Sequence, residues 1–223
     1  MVKFSQVQHI LTDIEGTTSD IAFVKNVLFP YSAREMRNFV SKNRTKPIVR
    51  ECLQQTESTD ENSAIEKLLE WIQNDIKHPA LKTLQGLIWR EGYEAGAFRA
   101  HVYPEVKAAF DRWKAQGFQI SVYSSGSIEA QKLFFQYSTA GNLLPYFSHH
   151  FDLGVGSKKE SSSYQKISEA LKTTQILFLS DIEAELDAAA QIDLMTLQIV
   201  REGTVASKRH FTAASFDEIE LKP

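Results

Sequence analysis

Two acidic residues, Asp13 and Glu15, come after the stretch Val7–Leu11, in which Val, Ile and Leu predict a buried first strand. Paired carboxylates at such a place could bind a metal ion or act on a phosphate. Side chains two residues apart lie on the same side of an extended backbone, and Gly16 lets the chain turn away. In open parallel sheets, ligands bind beyond the carboxyl ends of the strands. We therefore expect both carboxylates to face a ligand crevice. The alternative is that they only cap a turn or a helix.

Three further groups follow in chain order, each at a predicted strand end. Ser124 and Ser125 precede Gly126 and a predicted helix, and small hydroxyls at a helix amino terminus favour anions. Lys158 lies in a predicted loop over residues 154–163, and a lysine there would stabilise phosphoryl charge. Asp181 follows another buried run. Taken singly, each group has an ordinary alternative as a turn, cap or surface residue.

Together these residues predict phosphoryl transfer through an aspartate. Asp13 and Asp181, on neighbouring strands, would share Mg²⁺, which prefers oxygen ligands. Asp13 would attack phosphorus, since carboxylates form aspartyl-phosphate intermediates. Ser124 and Lys158 would hold the phosphoryl oxygens, while Glu15 would protonate the leaving oxygen and then deprotonate the attacking water.

The elements that must position these residues are predicted from hydrophobic periodicity. From about residue 104, strands and helices alternate, which predicts a doubly wound parallel sheet, a Rossmann-like α/β core formed by residues 1–19 and 101–223. Residues 20–100 are mainly helical and are predicted to form an inserted helical cap that controls entry to the strand ends. Within that segment, Ser63-Ala64-Ile65-Glu66 has capping-box spacing and predicts that a helix begins at Ser63.

Composition limits the remaining possibilities. The 223 residues are 43% apolar and 24% charged, as in an ordinary soluble protein. A net charge of −3 favours neither nucleic acid nor an anionic membrane. The single cysteine forms no intramolecular disulfide, and no signal peptide or membrane-spanning run is visible, so we expect a cytoplasmic protein.

The four groups, in this order, resemble those of the haloacid dehalogenase-like phosphatase superfamily. Glu15 stands where the common first motif has Asp, and Asp-Ile-Glu-Gly-Thr-Thr resembles the enolase-phosphatase (acireductone synthase) branch. The same branch is indicated by several longer segments: Phe23-Val24-Lys25, Leu28-Phe29-Pro30-Tyr31, Gln85-Gly86-Leu87-Ile88-Trp89-Arg90, His101-Val102-Tyr103-Pro104, Tyr123-Ser124-Ser125-Gly126-Ser127-Ile128-Glu129-Ala130-Gln131 and Leu177-Phe178-Leu179-Ser180-Asp181. Glu202-Gly203-Thr204 departs from the Pro-Gly-Asn expected of the branch.

The resemblance implies a bifunctional enzyme of methionine salvage. Its substrate would be 2,3-diketo-5-methylthiopentyl-1-phosphate, which is enolised and then dephosphorylated to an acireductone by a monomer that binds one Mg²⁺. Carried over by position, Asp13, Glu15 and Asp181 form the metal site, with Glu15 offering its main-chain carbonyl. Ser124, Ser125 and Lys158 match substrate-binding positions.

Other functions remain open from the sequence. The same scaffold could carry another small-molecule phosphomonoesterase or a phosphomutase. A phospho-accepting signalling domain is disfavoured by the second carboxylate, Glu15, and by the large predicted cap. A non-catalytic binding protein is disfavoured by the presence of Asp13, Lys158 and Asp181 together. The base for enolisation is left between Glu15 and a cap residue.

Overall fold

The computed structural model describes residues 1–222, and the chain divides into two compact units. One unit combines Met1–Ile21 with the chain from Ala100 onwards, and the other is the intervening Ala22–Arg99. The first is an α/β unit, while the second is helical. The candidate chemistry lies in the α/β unit, because every predicted site residue belongs to it.

A six-stranded parallel sheet forms the centre of the α/β unit. Its strand order is β4-β3-β2-β5-β6-β7, and every neighbouring pair is parallel. A separate two-stranded parallel sheet pairs β1 with β8. The strands are β1 (Val2–Phe4), β2 (His9–Thr12), β3 (Gln119–Tyr123), β4 (Phe147–Phe151), β5 (Ile176–Ser180), β6 (Met195–Ile199), β7 (Phe211–Ala213) and β8 (Ile219–Leu221). The predicted α/β class with a doubly wound parallel sheet is confirmed.

Helices connect the strands of this unit. They are α6 (Pro104–Ala115), α7 (Ile128–Gln136), α8 (Ser161–Leu171) and α9 (Glu183–Ala190). Strands β2 and β5 are buried at every position, as expected for parallel strands covered on both faces. Their apolar side chains pack with those of α8 and α9, among them Leu11, Phe178 and Tyr164.

The central strand β2 lies at the topological switch point. It pairs with β3 on one side and β5 on the other, with Thr12 in register with both Val122 and Leu179. The carboxyl ends of the three strands are therefore adjacent. The main chain of Asp13 extends this alignment, because its N–H donates to the Leu179 carbonyl at 2.9 Å. This is the edge at which open α/β sheets bind ligands.

The helical unit packs around one apolar cluster. Its helices are α2 (Phe29–Asn43), α3 (Pro47–Gln54), α4 (Glu61–Gln73) and α5 (Pro79–Glu94), and α1 (Ile21–Phe23) leads into it from the α/β unit. Ile65, Leu68 and Ile72 of α4 lie on its buried face, as their helical spacing predicts. The predicted start at Ser63 is wrong: Asp60 caps α4, and its carboxylate accepts from the N–H groups of Asn62 and Ser63. An aspartate already outside the helix satisfies those donors, so Ser63 lies within the first turn.

One turn of π-helix, Val24–Leu28, joins α1 to α2. Pro30 has no N–H to donate to the carbonyl four residues earlier, which favours a wider turn just before it. The Phe29 N–H instead reaches the Val24 carbonyl, five residues back. The Leu28 carbonyl accepts from the indole N–H of Trp89 at 2.8 Å, so α5 stabilises this turn.

Two further features concern the ends of elements. Helix α8 begins at Ser161, inside the span 154–163 that we predicted as loop, so that loop ends three residues early. None of the helices between residues 1 and 222 combines the length and apolar character needed to cross a membrane.

Candidate active site

Asp13 is 3% exposed and begins a tight turn after β2. The turn closes on the Ile14 carbonyl, which accepts from the N–H groups of Thr17, Thr18 and Ser19 at 2.9–3.2 Å. Gly16 adopts a φ of +79°, a left-handed conformation that favours glycine. The compact turn holds Asp13 at the strand end, where the sequence places it.

Lys158 pairs with Asp13. Its side chain is 8% exposed, and its ammonium group contacts the Asp13 carboxylate and lies 2.7 Å from Glu185 Oε2. The Tyr164 hydroxyl donates to the Lys158 carbonyl at 2.7 Å and fixes the loop that carries the lysine. Burial disfavours the charged lysine, but the charges of Asp13 and Glu185 outweigh it and raise its pKa above the usual value. Lys158 is therefore a fixed cation beside Asp13.

Glu15 and Ser124 form a second contact within the site. The Ser124 hydroxyl donates to Glu15 Oε2 at 3.0 Å and accepts from the Gly126 N–H at 3.2 Å. Burial, and then the charge of Asp13, raises the pKa of Glu15. A raised pKa lets a carboxyl group keep its proton at a higher pH than usual, which suits a general acid. Ser125, the second predicted serine, is exposed, whereas Ser124 is fully buried.

Asp181 lies against the turn after β2. Its N–H donates to Thr17 Oγ1 at 3.0 Å. A Cβ built on Gly16 would lie 2.5 Å from Asp181 Cγ, so only glycine leaves room for this carboxylate. Burial, and then the charge of Asp13, raises the pKa of Asp181 to about 7. Asp181 and Asp13 are thus close enough to repel each other.

The residues fit a hard cation at this point. Asp181 Oδ1 is buried and accepts no hydrogen bond from the residues that the structure describes. A buried carboxylate oxygen without a donor, near a second carboxylate, matches what Mg²⁺ binds. No group of three His, Cys, Asp or Glu side chains arranged for metal occurs within residues 1–222. The predicted set does not need one, because it contains two carboxylates and a main-chain carbonyl.

Glu185 is a second direct partner of Lys158. It is 8% exposed, and its Oε2 accepts from Ser180 Oγ at 2.9 Å. Burial, and then the charge of Asp13, raises its pKa to about 7. The carboxylates of Asp13 and Glu185 therefore both contact one ammonium group, and the charge of Asp181, which interacts with that of Asp13, adds negative charge that a divalent cation would offset.

Comparison with known proteins places this arrangement in a family. The model described as haloacid dehalogenase-like hydrolase matches residues 7–193, a span that includes all six predicted site residues. The chain belongs to this family. The predicted membership of the enolase-phosphatase branch is also confirmed, because relatives that align with this chain over nearly their whole length are named Enolase-phosphatase E1.

Three such relatives are named Enolase-phosphatase E1. The protein of Hahella chejuensis is 43% identical over 100% of both chains. The protein of Pectobacterium atrosepticum is 45% identical over 96% of this chain and 97% of its own. The protein of Pseudomonas aeruginosa is 47% identical over 97% and 99%.

Solved structures agree with the fold. The UTR4 protein of Saccharomyces cerevisiae superimposes with a TM-score of 0.81 at 33% identity, over 95% of this chain and 99% of that chain. A haloacid dehalogenase-like phosphatase from Thermococcus onnurineus gives a TM-score of 0.63 at 15% identity over 95% of both chains, which supports the family fold alone.

Three residues that support the site were missed by sequence reasoning. The Gln131 amide donates to the carbonyls of Gly126 and Phe151, and so braces the loop after β3. Thr17 and Gln198 hold the main chain of Asp181. Gln131 lies in a quoted family segment, which is the one signal that could have found it; Gln198 stands in a segment without such a signal.

Proposed function

We propose that the chain is a bifunctional enolase-phosphatase of methionine salvage. It converts 2,3-diketo-5-methylthiopentyl-1-phosphate to the acireductone 1,2-dihydroxy-3-keto-5-methylthiopentene and phosphate. The observation that carries the proposal is full-length identity of 43% to 47% with proteins named Enolase-phosphatase E1. The arrangement of Asp13, Lys158, Glu15 and Ser124 supports the phosphatase half.

In the first phosphatase step, an Asp13 oxygen forms a bond to phosphorus while the ester P–O bond breaks. Lys158 stabilises the phosphoryl oxygens, because its raised pKa keeps it charged at neutral pH. Glu15 gives its proton to the leaving oxygen, and its raised pKa favours that role. Ser124 orients Glu15 and, with Ser125, is proposed to bind the substrate.

In the second step, water attacks phosphorus and the bond from Asp13 to phosphorus breaks. Glu15, now deprotonated, takes the proton of the attacking water and returns to its starting form. Each turnover therefore consumes one water and regenerates both carboxyl groups.

One Mg²⁺ per subunit is proposed, held by the carboxylates of Asp13 and Asp181 and by the main-chain carbonyl of Glu15. When bound, it supplies positive charge that offsets repulsion between Asp13 and the anionic phosphate. The unpaired Asp181 Oδ1 is the observation that supports this cation.

The helical unit Ala22–Arg99 is proposed to act as a cap that controls access of water and substrate. The base for enolisation is proposed to be Glu15 or a residue of this unit. We also propose a monomeric cytoplasmic protein, with a small phosphorylated diketone as its partner.

The decisive experiment incubates the protein with the diketo phosphate and Mg²⁺ while enol absorbance and free phosphate are followed together. We expect both signals from the unaltered chain and no phosphate from Asp13→Asn, with the fold retained by circular dichroism. Normal phosphate release by Asp13→Asn would remove Asp13 from the nucleophile role. Enol formation without phosphate release in Glu15→Gln would assign enolisation to another base.

The same assay separates the alternative functions. Transfer of the phosphoryl group to a sugar hydroxyl would indicate a phosphomutase, while release from unrelated monoesters but not from the diketone would indicate another phosphatase. A single stoichiometric labelling of Asp13 without turnover would indicate a signalling domain.

A further inference from the structure

We propose that Gln198 is a positioning residue for the cation site, because it fixes the main chain of Asp181. The inference rests on the proposed function in that Asp181 is taken to be a metal ligand. Gln198 lies on β6, in register with Ser180, which directly precedes Asp181. Its side chain is 1% exposed, so its polar atoms have no access to bulk water.

The Gln198 side-chain amide makes three hydrogen bonds, all of them to main-chain groups. Nε2 donates to the Asp181 carbonyl at 2.9 Å and to the Val205 carbonyl at 3.1 Å. Oε1 accepts from the Ser207 N–H at 2.6 Å. Because carbonyls only accept and an N–H only donates, the amide can be oriented in one way alone.

Asp181 is held at both ends of its main chain and not at its carboxylate Oδ1. Its N–H is bound by Thr17 Oγ1 at 3.0 Å, and its carbonyl by Gln198. Oδ1 is buried and has no donor among residues 1–222. The direction of the carboxylate is therefore set largely through the main chain, which makes its two anchors responsible for ligand geometry.

Gln198 also connects this anchor to the segment after β6. Val205 and Ser207 belong to residues 201–210, and Ser207 Oγ donates to Glu183 Oε1 at 2.5 Å. Helix α9 follows Asp181 and begins with Glu183. Residues 201–210 are thus bound both to Gln198 and to Glu183. Gln198 is the buried link between this segment and the main chain of Asp181.

The test is the Mg²⁺ affinity of Gln198→Met, measured by titration calorimetry on the full chain without substrate. Methionine has a similar length and volume but neither donates nor accepts as the amide does. Removing a residue that orients a metal ligand by a hydrogen bond costs about 10- to 100-fold in metal affinity. We therefore expect the dissociation constant for Mg²⁺ to rise by that factor.

Gln131→Met is the matched control. Gln131 is also 1% exposed and its Nε2 also donates to two carbonyls, at 2.9 and 2.8 Å, but these belong to Gly126 and Phe151. We expect this variant to weaken substrate binding, seen as a raised KM, and to leave the Mg²⁺ dissociation constant unchanged. A purely structural role of buried glutamines would affect Mg²⁺ affinity equally in both variants and would overturn the proposal.

If Gln198→Met does not fold, Gln198→Leu replaces it. Leucine likewise has neither donor nor acceptor, so Mg²⁺ affinity should fall by the same factor. Unchanged Mg²⁺ affinity in a folded Gln198 variant, or no Mg²⁺ binding by the unaltered chain, would overturn the proposal. An unaltered chain that binds Mg²⁺ but leaves the diketo phosphate intact would refute the proposed function alone.

Discussion

Gly16→Ala tests whether the space between the turn after β2 and Asp181 is required for activity. Gly16 has a φ of +79°, and a Cβ at this position would lie 2.5 Å from Asp181 Cγ. The change therefore has two separable effects, one on the backbone of the turn and one on the position of the carboxylate.

The backbone effect is a loss of stability. An alanine in the left-handed region costs about 1–2 kcal/mol, which lowers Tm by about 2–8 °C in a chain of this size. The effect on the carboxylate is catalytic. Nonbonded carbon atoms pack at about 3.5–4.0 Å, so Asp181 must move by about 1 Å, and a misplacement of about 1 Å costs about 10²-fold in rate.

Gly117→Ala is the control for the backbone effect. Gly117 has a φ of +89°, follows α6, and has nothing within 4 Å of a built Cβ. Phosphate release from the diketo phosphate gives kcat, and thermal unfolding gives Tm. We expect both variants to lose a few degrees of Tm, and only Gly16→Ala to lose kcat.

Two results would refute this reasoning. Full activity in Gly16→Ala would show that the Asp181 carboxylate is not needed where it lies. An equal loss of activity in Gly117→Ala would show that general destabilisation, and not the displaced ligand, accounts for the effect.

Three further predictions concern a charge, a buried histidine and the π-helical turn. Lys158→Met should lower kcat at least about 10²-fold, because it removes a preorganised cation beside Asp13. Burial, and then the charge of neighbouring His149, lowers the pKa of His9 to about 4. Between that pKa and about 6.5 the unfolded chain binds more protons, so stability falls with falling pH, by about 2 kcal/mol at pH 5; denaturant titration of His9→Gln should lack this loss. Trp89→Phe leaves the Leu28 carbonyl without its indole donor and should cost about 1 kcal/mol of unfolding free energy.

Each of these predictions has a contrary result. Lys159→Met changes the adjacent exposed lysine and should retain kcat, so equal losses in the two lysine variants would contradict a specific role for Lys158. An unchanged pH dependence in His9→Gln would mean that other groups cause the acid loss. Unaltered stability in Trp89→Phe would mean that another donor replaces the indole.

The core strands and the acids that follow them could be predicted because their signals are local. Strand β5 is a continuous buried apolar run, and Asp181 is the polar residue directly after it. Strand β2 is also buried at every position, although only Ile10 and Leu11 in it are apolar, and Asp13 directly follows it. We expected Asp13 and Asp181 to follow neighbouring strands, and the pairing of β2 with β5 confirms this.

Short and capped elements were harder to predict. Strands β1, β7 and β8 have three residues each, too few to show alternation. At α4, both Ser63 and Asp60 are good caps by type. The choice depends on where the chain enters the helix, which the capping-box spacing alone did not reveal.

The supporting residues of the site could not be predicted because their contacts are distant in sequence. Gln198 contacts Asp181 from 17 residues away, and Ser124 contacts Glu15 from 109 residues away. A buried glutamine or serine has many possible partners, and only the folded sheet decides among them. The contact of Glu185 with Lys158 likewise joins residues that are distant in sequence.

The Lys158 ammonium pairs with two carboxylates, Asp13 and Glu185, and only Asp13 reacts on the proposed pathway. On the proposed pathway, Asp13 exchanges its own charge for that of a bound phosphoryl group and then recovers it. Glu185 lies 2.7 Å from the ammonium and has no bond-making role on that pathway. Asp13 can therefore be phosphorylated and regenerated in every cycle, while Glu185 holds the Lys158 ammonium in place as the charge on Asp13 changes.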